Sequence, residues 1–297
     1  MGACDYGART YATGEGIPSA LAVDDRYVYW LTHAGAGSDG GTRLRAADKC
    51  GTAPPVTLAT APYFASGLSV DAKGVYFTTT RGDGVGSVAF LAKKLSAGGA
   101  PWAFAKLVSW DGTFQPADVK PGPSGAIYWV EPESGVVAVI GEANVRVELA
   151  SGLDHPAHLA FDGQSMYVGT RTGLLRLDTA PATQVVPGEV KGLTSDPATG
   201  AVFALTRDTA YRIERGTQKP SVLLASFPAE IDDVAVSSIE LYFVHGPVAS
   251  LGAFPIGGGP TSPPMTTGGK GPGRIAADDS GVYWTAGGVV ARVTSVH

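Results

Sequence analysis

Ser19 to Thr32 reads SALAVDDRYVYWLT, and Gly273 to Ala286, near the far end of the chain, reads GRIAADDSGVYWTA. Both stretches begin with small and apolar residues in alternation, turn at an aspartate and end on an adjacent Tyr-Trp pair. Alternation with period two describes a strand, the aspartate marks a turn, and the aromatic pair sits in a second strand. Successive strand residues face opposite sides of a sheet, so two large rings in a row require that both faces be buried. A sheet standing between two others meets that requirement.

Five further copies lie between these two: SGLSVDAKGVYFTT from Ser66, ADVKPGPSGAIYWV from Ala117, AHLAFDGQSMYVGT from Ala157, KGLTSDPATGAVFALT from Lys191 and DDVAVSSIELYFVH from Asp232. Their mean spacing is about 42 residues, which suits a four-stranded blade. Third and fourth strands follow the pair, as in Thr42 to Ala46 then Pro55 to Leu58. The pattern predicts an all-β fold, a seven-bladed β-propeller occupying residues 1–297 as one domain, with first (a) strands starting near 19, 66, 117, 157, 191, 232 and 273. The last copy ends too early for a d strand. RTYATGEG, residues 9–16, stands ahead of the first a strand as VTLATAPY and VELASGLD stand ahead of the second and fourth. It is expected to supply the missing strand and close the ring, removing both sheet edges.

Composition agrees and also excludes. Charged residues are 16%, hydrophobic residues 44%, and 41 Gly and 21 Pro punctuate the chain, as many short strands and turns require. A net charge of −5, without a Lys/Arg stripe, argues against nucleic acid as a partner. No apolar run reaches the 18 residues of a transmembrane segment, and the first residues lack the charged start and apolar stretch of a signal peptide.

VYWT at Val282 to Thr285 and VYWLT at Val28 to Thr32 resemble the repeats of YWTD-type propellers and of bacterial secreted propellers with a VD-x-x-x-VYW core. The resemblance implies an extracytoplasmic protein, periplasmic, secreted or on the cell surface, that binds or scaffolds. The two cysteines point the same way. In the ring, Cys4 precedes the closing strand and Cys50 lies in the c-d turn of the first blade, at the same end of neighbouring blades. A disulfide is one reading; the other takes Gly2-Ala3-Cys4 as a lipoprotein cleavage remnant. Both place the chain outside the cytoplasm.

The aspartates after each a strand, Asp24, Asp71, Asp162, Asp196 and Asp278, are read as turn residues that bond their own backbone. No HExxH, GxSxG or complete phosphate loop occurs, Gly82-x-Gly84-x-Gly86 has no helix after it, and Arg81-Gly82-Asp83 reads as a turn. In an antiparallel meander the b-c and d-a connections share one end. That end is the expected binding face, where Phe64, Trp110, Phe114, Glu131, His155 and His245 offer rings and polar groups for a glycan or a protein partner. Along the axis, Ala22, Ser69, Ala160, Thr194, Ala235 and Ala276 are expected to form a ring of small residues. Two residues earlier, Asp118, His158, Asp233 and Arg274 place four ionisable groups at one level. Paired charges lining a wet channel are one reading; a metal or acid-base site is the other. The expected function is non-catalytic recognition without a cofactor. The alternative is a metal-assisted lyase or hydrolase with one divalent ion at the channel mouth. Asn144 is the chain's single asparagine, a departure from the Asn-containing calcium sites of lactonase-like propellers.

Overall fold

The computed structural model describes residues 8–33, 41–51, 53–61, 64–80, 83–93, 114–123, 125–140, 145–178, 181–217, 219–225, 230–246, 250–259, 262–266 and 273–293. They form seven antiparallel sheets, six of four strands and one of three. Blade 1 consists of strands a to d at Ile17–Val23, Tyr27–His33, Thr42–Asp48 and Val56–Ala61. The a strands of blades 2 to 7 are Phe64–Val70, Val119–Pro121, His158–Phe161, Gly192–Ser195, Ile231–Val236 and Arg274–Asp278. Each begins within about two residues of its sequence expectation. Blade 2 is the three-stranded sheet; the segment expected to hold its d strand lies outside the described residues. The a strands touch one another in cyclic order, the seventh meeting the first. No helix among the described residues is long and apolar enough to cross a membrane.

Blade 7 takes its d strand from the N-terminal part of the chain. Arg9–Ala12 pairs antiparallel with strand c, Val289–Val293, setting Arg9 opposite Arg292, Thr10 opposite Ala291 and Ala12 opposite Val290. A bulge falls at Tyr11, and the Glu15 N–H carries the pairing on to the Gly288 carbonyl at 3.0 Å. The closing strand is therefore shorter than residues 9–16, but it sits where the missing strand was expected.

The aromatic pairs explain why the blades stand face to face. Tyr29 and Trp30 are both fully buried, yet they belong to different cores. Tyr29 packs with Ala65, Leu68 and Phe77 of blade 2, and Trp30 with Tyr283 and Val290 of blade 7. Phe77 returns the contact toward blade 1, while Tyr76 faces Trp129 of blade 3. Each of the seven interfaces between neighbouring blades has one such apolar cluster. Burying each large ring contributes roughly 1.5–3 kcal/mol. Because the clusters lie between blades, the fold is stable only when the ring is complete.

Aspartates at the a-b turns fasten the same end, as their sequence reading expected. Asp24 Oδ1 accepts the Arg26 and Tyr27 N–H groups at 2.9 and 2.7 Å, and Oδ2 accepts the Tyr29 hydroxyl at 2.8 Å. Asp71 and Asp162 repeat the arrangement with Tyr76 and Tyr167. In blade 7, Ser280 relays it between Asp278 and Tyr283. A cation from the next blade completes two of these hubs. Lys93 Nζ of blade 2 donates to Asp24 at 2.5 Å, and Lys49 of blade 1 pairs with Asp278 of blade 7.

Candidate functional site: the axial channel and its two mouths

The four ionisable groups of the inner ring occupy equivalent places at or beside the starts of their a strands, and three of them, Asp118, Asp233 and Arg274, bridge neighbouring blades. Asp118 accepts the Val119 N–H at 2.9 Å with one oxygen and the Leu159 N–H of blade 4, also at 2.9 Å, with the other. Asp233 does the same between blades 6 and 7, accepting Val234 N–H at 2.9 Å and Ile275 N–H at 3.0 Å. Arg274 reaches both ways, from Nε to the Ser19 carbonyl of blade 1 at 2.7 Å and from Nη1 to the Asp232 carbonyl of blade 6 at 3.2 Å. Lys120 lies 3.5 Å from Asp118. These groups satisfy backbone that a converging ring of strands leaves without a ladder partner.

Electrostatics follow from this half-buried setting. Burial holds His158 below the ordinary imidazole value, although Asp118 and Asp233 pull it upward, so its ring is neutral at pH 7. Burial also raises Asp233, against the opposing field of Arg274 and its two backbone bonds. Asp232 is raised by burial, with Arg274 again opposing.

On the b-c and d-a face, Ile17 and Phe64 are 66% and 62% exposed. Ile17 is the register partner of His33, whose ring lies 5.2 Å from that of Phe64. The three form one apolar and aromatic patch across blades 1 and 2. His33 is anchored by Thr42 Oγ1 at 2.9 Å and is held below its ordinary pKa by burial. On blade 6, the His245 ring lies 5.6 Å from that of Phe243, its pKa is lowered by burial, and its Nε2 has no hydrogen-bond partner among the described residues. His155 stands in the left-handed region with φ 52° in the d-a connection to blade 4.

Other expectations fare differently. Phe114 is buried against Trp129 at 6.2 Å, and Glu131 is buried as the acceptor of the Trp129 indole at 2.9 Å and of Arg146. They are core residues and do not offer themselves to a ligand, because a ring or carboxylate at a blade end can fold back onto a neighbouring strand. Trp110 and Cys4 lie outside the described residues, as do Arg81 and Gly82. Cys50 is disulfide-bonded. Among the described residues no three His, Cys, Asp or Glu side chains gather in an arrangement that would hold a metal ion, so a divalent site has no fitting ligand set there.

Sequence reading did not find one sizeable cavity. It has a volume of about 830 Å³ and lies on the axis at the opposite end, among the a-b turns of all seven blades. Its wall is the ring of small residues that the strand parity predicted, Ala22, Ser69, Ala160, Thr194, Ala235 and Ala276.

Strand order and ring closure define the class: a seven-bladed β-propeller. Solved structures of the same shape include virginiamycin B lyase from Staphylococcus aureus, with a TM-score of 0.75 and 12% identity over 97% of this chain and 98% of that one. A chain of a nidogen/laminin complex matches with a TM-score of 0.57 and 13% identity over 81% of this chain and 92% of its own. A gluconolactonase from Xanthomonas campestris matches at 0.54 and 18% identity over 80% and 87%. No protein-family model and no curated protein matches the chain. At such identities the likeness establishes the fold, which occurs in a lyase, a gluconolactonase and a nidogen/laminin complex alike.

Proposed function

We propose that this chain is an extracytoplasmic recognition propeller that docks a protein or glycan partner on its b-c and d-a face. The observation that carries the reading is the Ile17, His33 and Phe64 patch: large apolar side chains are exposed together there, while the aromatic pairs of the blades are buried. Aromatic anchors beside polar groups are the usual core of a recognition surface. The inner ring supports the same reading, since its carboxylates and guanidinium are engaged in holding blades together. The bonded state of Cys50 fits an oxidising compartment.

Binding of the purified chain to arrayed oligosaccharides and peptides tests this. Phe64→Ala should weaken any 1:1 binding at least ten-fold with an unchanged melting temperature; binding untouched by Phe64→Ala and Ile17→Ser overturns the reading. The competing assignment is a metal-assisted lyase or hydrolase, to which His245 on the same face, its Nε2 without a partner among the described residues, would contribute. Stoichiometric divalent metal in the purified protein would favour it.

A further inference from the structure

The d strands stand at the outer edges of their sheets, where the unpaired side of a strand can accept another chain. Most of the described ones are blunted. Those of blades 4, 5 and 6, Thr183–Pro187, Pro220–Ala225 and Ser262–Thr266, contain proline, which has no N–H to give to an added ladder. That of blade 7 is four residues long, and that of blade 1, Val56–Ala61, carries no charge that would fix a register.

Blade 3 differs. Its d strand, Arg146–Ala150, pairs with strand c, Val136–Ile140, on one side, has no strand on the other and contains no proline. Val145, Val147 and Leu149 are 60%, 50% and 46% exposed, so three of the eight large apolar side chains that are exposed among the described residues gather on this one edge. Val147 lies opposite Val139, on the side toward blade 4, whereas Arg146 and Glu148 lie opposite Ile140 and Ala138, on the side toward blade 2. Leu149 is an extra residue against strand c, a bulge that ends the regular run.

The order of charges makes this edge complementary to itself. When VRVEL, residues 145–149, meets a second copy antiparallel about a two-fold axis at Val147, directly opposed residues share a face. Val147 then faces its own counterpart, Arg146 faces Glu148, and Val145 faces Leu149. A slip of one residue sets each charge opposite an apolar side chain, and a slip of two sets Arg146 against Arg146 or Glu148 against Glu148. Both partners of the charge pair are ready for it. Arg146 is held by Glu131 through bonds of 2.9 and 3.1 Å, which reduces the entropy lost on docking. The Glu148 side chain is 52% exposed; its Oε1 accepts Arg146 Nη1 of its own strand at 2.8 Å, and its Oε2 accepts nothing among the described residues.

We propose that blade 3 docks a second copy of this chain, d strand to d strand, joining two four-stranded blades into one eight-stranded sheet across a two-fold axis at Val147. One strand edge per copy is smaller than a standard interface of roughly 1,200–2,000 Å², so the dimer is reversible and its fraction rises with concentration. Sedimentation velocity over a hundred-fold range of concentration tests it, and the wild-type protein should shift from monomer toward dimer. Val147→Asp, which sets two carboxylates face to face, and Glu148→Arg, which opposes Arg146 with a like charge, should each weaken the dimer at least ten-fold with an unchanged melting temperature. Val147→Cys should cross-link two copies on air oxidation, because the axis places residue 147 opposite itself, whereas Val222→Cys, on the exposed edge of blade 5, should not. A chain that stays monomeric throughout, a dimer untouched by both charge changes, a dimer lost in Phe64→Ala, or equal cross-linking from blade 5 would each overturn the proposal.

Discussion

Lys49, in the first blade, and Asp278, in the last, form an ion pair across the junction where the ring closes. The lysine side chain is 2% exposed and the carboxylate 30%. The Lys49 ammonium also lies 5.1 Å from the Tyr283 ring, and its carbonyl accepts the Tyr11 hydroxyl at 3.2 Å. One residue thus touches blade 1, the a-b turn of blade 7 and the closing strand. Breaking a buried pair by removing one partner costs about 3–5 kcal/mol, and the partial exposure of Asp278 brings Asp278→Asn below that range, to about 2–3 kcal/mol. Lys49→Met should recover part of that loss in the double variant, because no buried charge is then left alone. Urea unfolding of the four proteins checks this; additive effects would mean that the pair contributes nothing.

The closing strand should matter more than its four residues suggest. Tyr11 is buried and stacks on Tyr283 with centroids 6.1 Å apart, while Arg9 donates to the Lys49 and Gly51 carbonyls. Deleting residues 1–12 would bare strand c of blade 7 as an unpaired edge. The expected outcome is aggregation or loss of cooperative unfolding, read by light scattering and circular dichroism. Tyr11→Ala should cost about 3–5 kcal/mol by removing a buried ring. A truncated chain that stays monodisperse with an unchanged melting point would show that the ring does not need this strand.

Much of the architecture was legible because propeller packing writes itself into each repeat. Tyr29-Trp30 and Tyr283-Trp284 declared two buried faces, and the missing strand after Val293 together with the orphan strand near Arg9 declared the closure. Asp24 and Asp278 were readable as turn residues. Their second role was not, because Lys49 and Lys93 come from neighbouring blades and no periodicity within one repeat reports on the next. A cation at or just past the end of strand c, in AADKC and FLAKK, was the available signal. Asp118 and Asp233 make equivalent bonds in blades 3 and 6. That they cap the backbone of the following blade depends on how closely seven strands converge, a distance that spacing along the chain does not contain. The cavity at the a-b mouth was missed for the same reason.

Acid should unfold the protein through the turn aspartates. Burial pushes Asp162 upward, but hydrogen bonds from Ser165, Gln164, Gly216 and Tyr167 outweigh it and leave the group below the usual carboxylate value. Asp24 is lowered against its burial by Lys93, Tyr27, Tyr29 and Arg26. A carboxylate depressed in the folded state contributes stability that is complete above its unfolded pKa, about 3.9, and is lost as pH falls through the folded value. Asp232 and Asp233, raised by burial, act in the opposite sense: their contribution is present at low pH and lost as pH rises through their folded values. Stability measured from pH 6 to pH 2 should therefore fall below about pH 4, and Asp162→Asn should flatten that fall. An unchanged acid limb in the variant would remove Asp162 from the account.

The pairing of Cys50 is open to direct measurement. It is bonded, and the chain has one other cysteine, Cys4. Thiol titration of the unfolded, unreduced protein should detect no free thiols. Reduction should lower stability by about 2–4 kcal/mol, the usual effect of opening a loop of this length. Two free thiols, or lipid on Cys4 by mass spectrometry, would instead favour the lipoprotein reading.

The inner ring separates structural from functional roles by substitution. Asp233→Ala strips the acceptor from the Val234 and Ile275 N–H groups, each of which costs about 1–3 kcal/mol if left unpaired and buried. Asp118→Ala should do the same through Val119 and Leu159. Asp233→Asn keeps one acceptor oxygen and should cost less than Asp233→Ala, since burial already disfavours the charge. His158 has a neutral, half-buried ring facing Asp118 and Asp233, so His158→Ala should change stability by less than either aspartate variant. Thermal unfolding at pH 7 ranks the four. If His158→Ala proves the most damaging, the imidazole holds the ring together and the backbone bridges of the aspartates do not; if Asp233→Ala leaves stability intact while abolishing binding of an identified partner, the carboxylate belongs to a ligand site and the structural assignment fails.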